Sequence, residues 1–443
     1  MANIYINRKI DNELFDWSKD PDRKPLLIRG ARQVGKSSSV RNLAKNFEHF
    51  IEVNFEKNTI VSTFFDFDLI PQEICAKLSV HFNTPIIPHK TFLFFDEIQA
   101  CPRAISALRF FYEDYPELHV VAAGSLLEFA LEELPSFGVG RIRSIYMYPF
   151  SFSEFMNASG EGLLWNEICK SSPEAPLFPA FHQKALELFK KFLVIGGMPA
   201  VVSKFIENQD IIACQNLLND LINSLKTDFA KYKKRTPELR ISTVFQAIVD
   251  QAGSKFNYSK VEQFNIRQVK ESVELLQKAG LVISIVHTSA NGIPLGAQIN
   301  SKKQKFMLFD TGIFQRLLGL ELSSILFNNN FSVINKGSIA EQMVGLELLK
   351  SSPSYDQAQL YYWHREAKKS YAEVDYIIQV NEKIIPVEVK SGTSGKMQSL
   401  YLFLNEKQSE YGVRTSLENF EQYDKIKVFP LYAVENLIKN SRL

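Results

Sequence analysis

Two stretches of this chain carry residue types at spacings that could do chemistry. The first, Gly30-Ala31-Arg32-Gln33-Val34-Gly35-Lys36-Ser37, follows the apolar run Leu26 to Ile28 and leads into a helix-like segment. Strand, GxxxxGK[ST] loop and helix in that order read as a phosphate-binding loop, extending to Ser38. Gly30 and Gly35 let the backbone turn its N–H groups onto phosphate, with a helix N-terminus behind them. Lys36 would reach the β and γ phosphates of ATP, and the Ser37 hydroxyl would bind Mg2+. The second stretch, EVDYIIQVNEKIIPVEVKSG at 373–392, sets Asp375 on one hydrophobic run and Glu388 and Lys390 on the next. Two carboxylates and a lysine on adjoining strands form either a polar rim or an active site.

The elements around the loop must bring further groups to the phosphates. FIEVNFE (50–56) and TFLFFDEIQ (91–99) read as strands, the latter apolar on both faces until it ends in Asp96 and Glu97. Asp96 would hold Mg2+ through water and Glu97 would orient and deprotonate the attacking water. The plainer alternative is a strand that ends in exposed acids. HVVAAGS (119–125) is a further buried strand ending in Ser125, where open parallel sheets place their ligands, so Ser125 could sense the γ phosphate. GVGRIRSIYMYPFSFSEF adds a strand preceded by Arg141 and Arg143; Arg141 is either an arginine finger or a solvated strand edge.

In the C-terminal stretch, Asn381-Glu382 separates two strand-like runs as a two-residue hairpin loop would. Pairing Val380 with Lys383 sets Asp375 opposite Glu388, and alternation brings Lys390 to the same face. Upstream, KGSIAEQMVGLELLKSS reads as a helix with Glu341 near its start, and LYYWHRE as another strand. Asp375, Glu388 and Glu341 would be hard oxygen ligands for one or two Mg2+ ions. Such a metal lowers the pKa of bound water and stabilises charge on a scissile phosphate, while Lys390 holds the water or neutralises the developing charge. The alternatives are ordinary strand residues pairing with their neighbours, or the same fold holding nucleic acid or protein without cutting.

The totals bound these readings. A chain of 443 residues exceeds one ordinary core, and 45% hydrophobic with 23% charged residues is a globular composition. Apolar stretches stop short of the roughly 20 residues needed to cross a bilayer, and no signal-peptide core opens the sequence, so no membrane and a cytoplasmic location are expected. Cys75, Cys101, Cys169 and Cys214 lack metal-ligand spacing, and the net charge of +2 gives no global case for nucleic acid. Residues 182–232 repeat at helical spacing around Gly196-Gly197-Met198-Pro199, which has the composition of a hinge and equally of a tight turn. Residues 239–312 read as two helices and a two-stranded wing, a winged helix-turn-helix with Arg267, Gln268 and Lys270 as candidate DNA contacts; Glu271 and Glu274 dilute its positive field.

LLIRGARQVGKS, FFDEIQ, AAGSLLEFAL, GRIRSIYMYPFSFSEF and FLVIGGMPAVV together resemble the prokaryotic AAA-type ATPases that carry a C-terminal domain of unknown function related to PD-(D/E)XK nucleases. The likeness runs over nearly the whole chain; the one small departure is Ser37, where that family often has Thr. It implies an α/β fold with an AAA-like P-loop NTPase domain and parallel sheet (1–180) and a helical lid (181–235). A winged-helix segment (236–320) and a restriction-endonuclease-like α/β domain (321–443) would follow. It further implies ATP and Mg2+ as cofactors and a nucleic-acid partner, DNA before RNA; it leaves open a homo-oligomer, in which Arg141 is the candidate arginine reaching a neighbour.

Overall fold

β3 (Thr91–Asp96) is buried along its full length. Its run Phe92-Leu93-Phe94-Phe95 dictates this, because a strand apolar on both faces belongs in the middle of a covered sheet. It lies between β2 (His49–Asn54) and β4 (His119–Ala123) in the order β2-β3-β4-β1-β5, where β1 is Leu26–Arg29 and β5 is Arg143–Tyr146. Every pairing in this sheet is parallel. All five carboxyl ends therefore share one edge, and parallel sheets collect ligands at that edge. One face is covered by the helices Pro71–Phe82 and Pro102–Asp114, whose Ile74, Leu78, Ile105, Leu108 and Phe111 join Leu27, Val53 and Phe95 in one buried cluster.

This computed structural model describes residues 5–133, 140–232, 236–320, 337–365, 372–393 and 395–439. The expected boundary between residues 320 and 321 adjoins residues 321–336, outside the described residues, as do Gly138 and Val139 before Arg141 and Glu366 at the end of LYYWHRE. The chain divides into two units, Met1–Pro149 with Lys278–Gly280 and Pro353–Gln357, and the rest.

The second unit holds a mixed sheet of order β12-β13-β11-β10-β9-β8-β6-β7. Its strands are β6 (Val282–Thr288), β7 (Ile299–Leu308), β8 (Leu360–His364), β9 (Glu373–Val380), β10 (Lys383–Val389), β11 (Gly412–Ser416), β12 (Glu421–Tyr423) and β13 (Ile426–Pro430). The helix Gly337–Lys350 precedes the antiparallel run β8-β9-β10, and the helix Gln398–Lys407 leads to β11, parallel to β10. β6 and β7, where sequence spacing suggests a wing, pair antiparallel with each other, and β6 also pairs parallel with β8. They are thus the edge of the larger sheet, not a free-standing wing.

The β9-β10 hairpin turns at Asn381 (φ 54°), with Lys383 opposite Val380. Between β8 and β9 the register shifts by one residue, from Tyr361 opposite Ile377 to Trp363 opposite Val374. Val374 and Ile377 both pack with Leu400 and Phe403. An extra residue in one strand is a β-bulge, and it turns Asp375 and Tyr376 together toward the other face.

The helices Pro179–Ile195, Pro199–Asn208 and Ile211–Asp228 fill the middle of the chain, and the break at Gly196-Gly197-Met198 is a locked turn. The buried Asp310 carboxylate accepts from Gly197 N at 2.6 Å and Ile313 N at 2.9 Å, while Gly197 O accepts from Phe150 N at 2.7 Å. Gly196 has φ 71°, and a Cβ there would overlap Asp310 Oδ1 and lie 2.6 Å from Gly312 N. Nothing in this turn has the slack of a hinge. Gly196→Ala, which adds both left-handed strain and overpacking, should destabilise the fold by about 2–3 kcal/mol. Thermal denaturation reads this as a lowered midpoint, and an unchanged midpoint would mean that the turn yields.

Candidate functional site

The loop after β1 is shaped by conformations its residues supply. Gly30 (φ 140°) lies so close to the Met147 carbonyl that a Cβ would overlap it, Gln33 turns through φ 64°, and Gly35 (φ 102°) opens the helix Lys36–Ala44. Ala31 and Val34 are buried, Arg32 half-buried, and Gln33 and Ser38 exposed. The buried Arg8 guanidinium braces the loop, donating to Val34 O at 3.2 Å and Tyr148 O at 2.8 Å.

Lys36 is 8% exposed, and its Nζ donates to the carbonyls of Gly30 at 2.8 Å and Ala31 at 2.7 Å. Burial pushes its pKa down to about 8, against the pull of Glu97 and Asp96. Its two hydrogen bonds thus go to neutral dipoles of its own loop, while the carboxylates of Glu97 and Asp96 act on it through space. Phosphate oxygens, which carry full charge, make the stronger hydrogen bonds.

At the same edge Ser37 Oγ donates to Asp96 Oδ1 at 3.0 Å, and Asn54 Nδ2, from the end of β2, donates to Asp96 Oδ2 at 3.2 Å. Burial raises the Asp96 pKa, and these two hydrogen bonds oppose the rise. A hydroxyl and a carboxylate side by side are hard oxygen donors that fit Mg2+. Glu97 sits in the left-handed region (φ 49°), a conformation that costs a non-glycine residue roughly 1–3 kcal/mol, and its carboxylate accepts from Gln99 Nε2 at 2.6 Å. Gln99 packs so tightly beside Gly124 that a Cβ there would overlap Gln99 Oε1, which ties the end of β3 to the residue preceding Ser125. Sequence reasoning missed Asn54 and Gln99, although each lies at the carboxyl edge already singled out.

Arg141 is not brought to this edge. It precedes β5, whose first residue, Arg143, pairs with Leu26 at the start of β1, and it binds Glu113 at 2.5 Å. Parallel strands put that end of β5 away from the loop that follows β1.

In the second unit the structure gathers a different set. Lys305 of β7 is 1% exposed, and its Nζ lies 2.5 Å from Glu373 Oε1, 3.7 Å from Glu341 Oε2 and 3.9 Å from Asp375 Oδ1. It also lies 5.2 Å from the Tyr362 ring centroid. Asp375 Oδ2 accepts from Val389 N at 2.8 Å, Lys390 Nζ donates to Glu388 Oε1 at 2.7 Å, and Tyr376 OH donates to Glu341 O at 2.7 Å. Burial, with neighbouring carboxylates adding to it, raises the pKa of Glu341 and Glu388. Burial alone would lower that of Lys305, but Glu341, Asp375 and Glu373 overcome it and hold it up. Among the described residues no group of three or more His, Cys, Asp or Glu side chains is arranged to hold a metal ion. As they stand, the carboxylates of this cluster do not fit Mg2+, because an ammonium already sits among them. Lys305 was not legible as a site residue; its only signal was a charge directly before the apolar run Phe306 to Phe309.

The candidate DNA contacts are partly engaged elsewhere. Arg267 Nε bonds Glu271 at 3.2 Å, Gln268 caps its helix by accepting from Asn265 N at 3.2 Å, and Lys270 Nζ lies 5.6 Å from the Tyr258 ring centroid.

Residues 22–156 match the family described as an AAA domain, and the N-terminal part of the chain is accordingly an AAA-type P-loop domain. Residues 186–324 and 336–434 match two domains of unknown function, DUF8612 and DUF4143. No curated protein matches the chain. Similar solved structures include a Walker-type ATPase of Pyrococcus abyssi (14% identity, TM-score 0.46, 71% of this chain and 96% of that one). The Aeropyrum pernix ORC1 protein in complex with DNA is another (12%, TM-score 0.29, 72% and 93%). A STAND protein with a tetratricopeptide repeat sensor from Pyrococcus horikoshii is a third (11%, TM-score 0.26, 80% and 47%), and this chain spans less than half of it. No described helix is long and apolar enough to cross a membrane.

The lowered pKa of Lys36 gives a pH signature. Phosphate favours the charged ammonium, so nucleotide binding takes up a proton once the free loop has lost it. Affinity should lose nothing to this group below about pH 7 and be about tenfold weaker at pH 9 than at pH 7, measured by titration with a fluorescent ATP analogue. A lysine at its ordinary pKa would leave affinity unchanged over that range.

Proposed function

We propose that this chain is an ATP-hydrolysing switch whose nucleotide cycle controls a nuclease-like C-terminal region that holds nucleic acid, DNA before RNA, without cutting it. The observation that carries the ATPase reading is the contact of Ser37 with Asp96 at the end of the phosphate loop, 3.0 Å across the carboxyl edge of a parallel sheet. Lys36 exchanges its two loop carbonyls for the β and γ phosphates of ATP, and the backbone N–H groups of residues 30–38 close around them. Ser37 and Asp96 would hold Mg2+, which draws charge from the phosphates when bound. Glu97, steadied by Gln99, orients the attacking water and takes its proton, and Ser125 meets the γ phosphate.

The nuclease-like reading of the C-terminal region is supported by the order helix, strand, hairpin and by Glu341, Asp375, Glu388 and Lys390 meeting around that hairpin. The non-cutting form is favoured over a metal-dependent nuclease by Lys305, whose ammonium already lies within 4 Å of Glu341, Glu373 and Asp375. A homo-oligomer in which Arg141 completes a neighbour's site fits its placement away from its own loop. Steady-state phosphate release decides the ATPase reading. Lys36→Ala should abolish turnover in a folded chain, and Glu97→Gln should bind ATP normally while turning over about 100-fold more slowly or worse. Turnover retained by Lys36→Ala contradicts the loop assignment.

A further inference from the structure

The phosphate loop is walled by a turn from far along the chain. The unit built on β1 to β5 includes, besides the N-terminal residues, the turn Lys278-Ala279-Gly280 that closes the helix Ile266–Lys278. Gly280 has φ 72°, and Leu281 N donates to Leu276 O at 3.0 Å, the bonding of a helix end capped by a left-handed residue. Helix termination accounts for that φ, but not for where the turn lies. A Cβ on Gly280 would come within 3.0 Å of Ala31 N and 3.3 Å of Ala31 Cα, and Ala279 beside it in the chain is buried. Those are backbone atoms, which cannot swing aside as the end of a side chain can. The other flank of the turn is tied as well. Lys278 Nζ lies 2.5 Å from Glu132 Oε1, on the helix Leu127–Glu133 that follows Ser125. Glu128 of the same helix accepts from Arg29, the residue before Gly30, at 3.1 Å. The turn therefore touches both the phosphate loop and the helix behind Ser125.

We infer that the turn Lys278-Ala279-Gly280 is a positioning element of the ATP site, which holds Ala31 in place for phosphate and passes the occupancy of the loop to the helix Ile266–Lys278. Ala31 is held from two directions: its carbonyl accepts from Lys36 Nζ at 2.7 Å, and its backbone nitrogen and Cα bear on Gly280. When Lys36 exchanges that carbonyl for phosphate oxygens, the first restraint is released and the second remains. The loop then settles against Gly280, and the load falls on the last turn of the helix, where Leu276 is fully buried and its carbonyl closes the cap. Coupling of this kind is reciprocal, so a partner that engages the helix alters ATP affinity by the same factor. The inference rests on reading residues 30–38 as an ATP site.

The test uses the full chain and a fluorescent ATP analogue that is not hydrolysed. Gly280→Ala sets a methyl group against the backbone of Ala31 and should weaken binding about tenfold. Gly160→Ala is the control: Gly160 has φ 79° with nothing within 4 Å of an added Cβ, so this variant carries the same left-handed strain without the contact and should bind as the native chain does. Amide hydrogen exchange on the native chain needs no substitution. The analogue should change exchange about twofold or more in residues 30–38 and also in residues 266–277, and Lys36→Ala should show neither change. Native affinity in Gly280→Ala, or an exchange response confined to residues 30–38, overturns the inference while leaving the ATP site standing. An equal loss in Gly160→Ala also overturns it, since strain alone would then suffice. An analogue that does not bind the native chain overturns the ATP reading, and the inference with it. If Gly280→Ala fails to fold, exchange at residues 266–277 decides alone.

Discussion

A single ammonium lets several carboxyl groups share ground from which water is largely excluded. Without Lys305, Glu341 and Asp375 would face each other across a buried gap, and burial with mutual repulsion would drive both toward the neutral acid. With it, the helix Gly337–Lys350, β7 and β9 are tied at one point. Lys305 is buried but Glu373, its nearest partner, is 40% exposed, so loss of the lysine, which strands the carboxylates, costs more than loss of Glu373, whose place water can take. The bulge at Asp375-Tyr376, the hydrogen bond from Tyr376 to Glu341 and the extension of the sheet through β6 and β7 all serve this contact, since only β7 can deliver the lysine.

The two buried lysines of the chain make a useful contrast. Lys36 is held by two backbone carbonyls, and burial lowers its pKa; Lys305 is held by carboxylates, and they raise its pKa despite burial. Neutral dipoles release an ammonium to an incoming phosphate, whereas carboxylates at 2.5 to 3.9 Å do not. The same side chain is thus poised in one unit and fixed in the other. That difference is the physical basis for proposing phosphate chemistry at the first lysine and none at the second.

Much of the N-terminal edge was legible in the sequence because backbone rules leave few choices there. Gly30 and Gly35 at fixed spacing after an apolar run, and FFDE ending a strand, can only come together at the carboxyl edge of a parallel sheet. The hairpin register from Val380 to Lys383 was legible for the same reason, a two-residue loop between alternating runs. What escaped notice depends on tertiary pairing. KFMLFD looks like half of a small wing until β6 is seen beside β8, and only then does Lys305 become an interior residue. The bulge beside Asp375 is set by Val374 and Ile377 packing on Leu400 and Phe403, contacts from a helix some 25 residues further along the chain. Strand direction, which short-range spacing does not give, puts Arg141 at the end of β5 away from its own loop. GGMP was ambiguous because glycine serves both slack and tight packing, and Asp310 decides for the latter.

The most direct measurement incubates the full chain with ATP, Mg2+ or Mn2+ and end-labelled single- and double-stranded DNA and RNA, following phosphate release and strand length in the same tube. ATP should be consumed while every strand stays intact. Metal-dependent shortening of the strands that disappears in Asp375→Ala would contradict it, and would make the carboxylate cluster a working nuclease site.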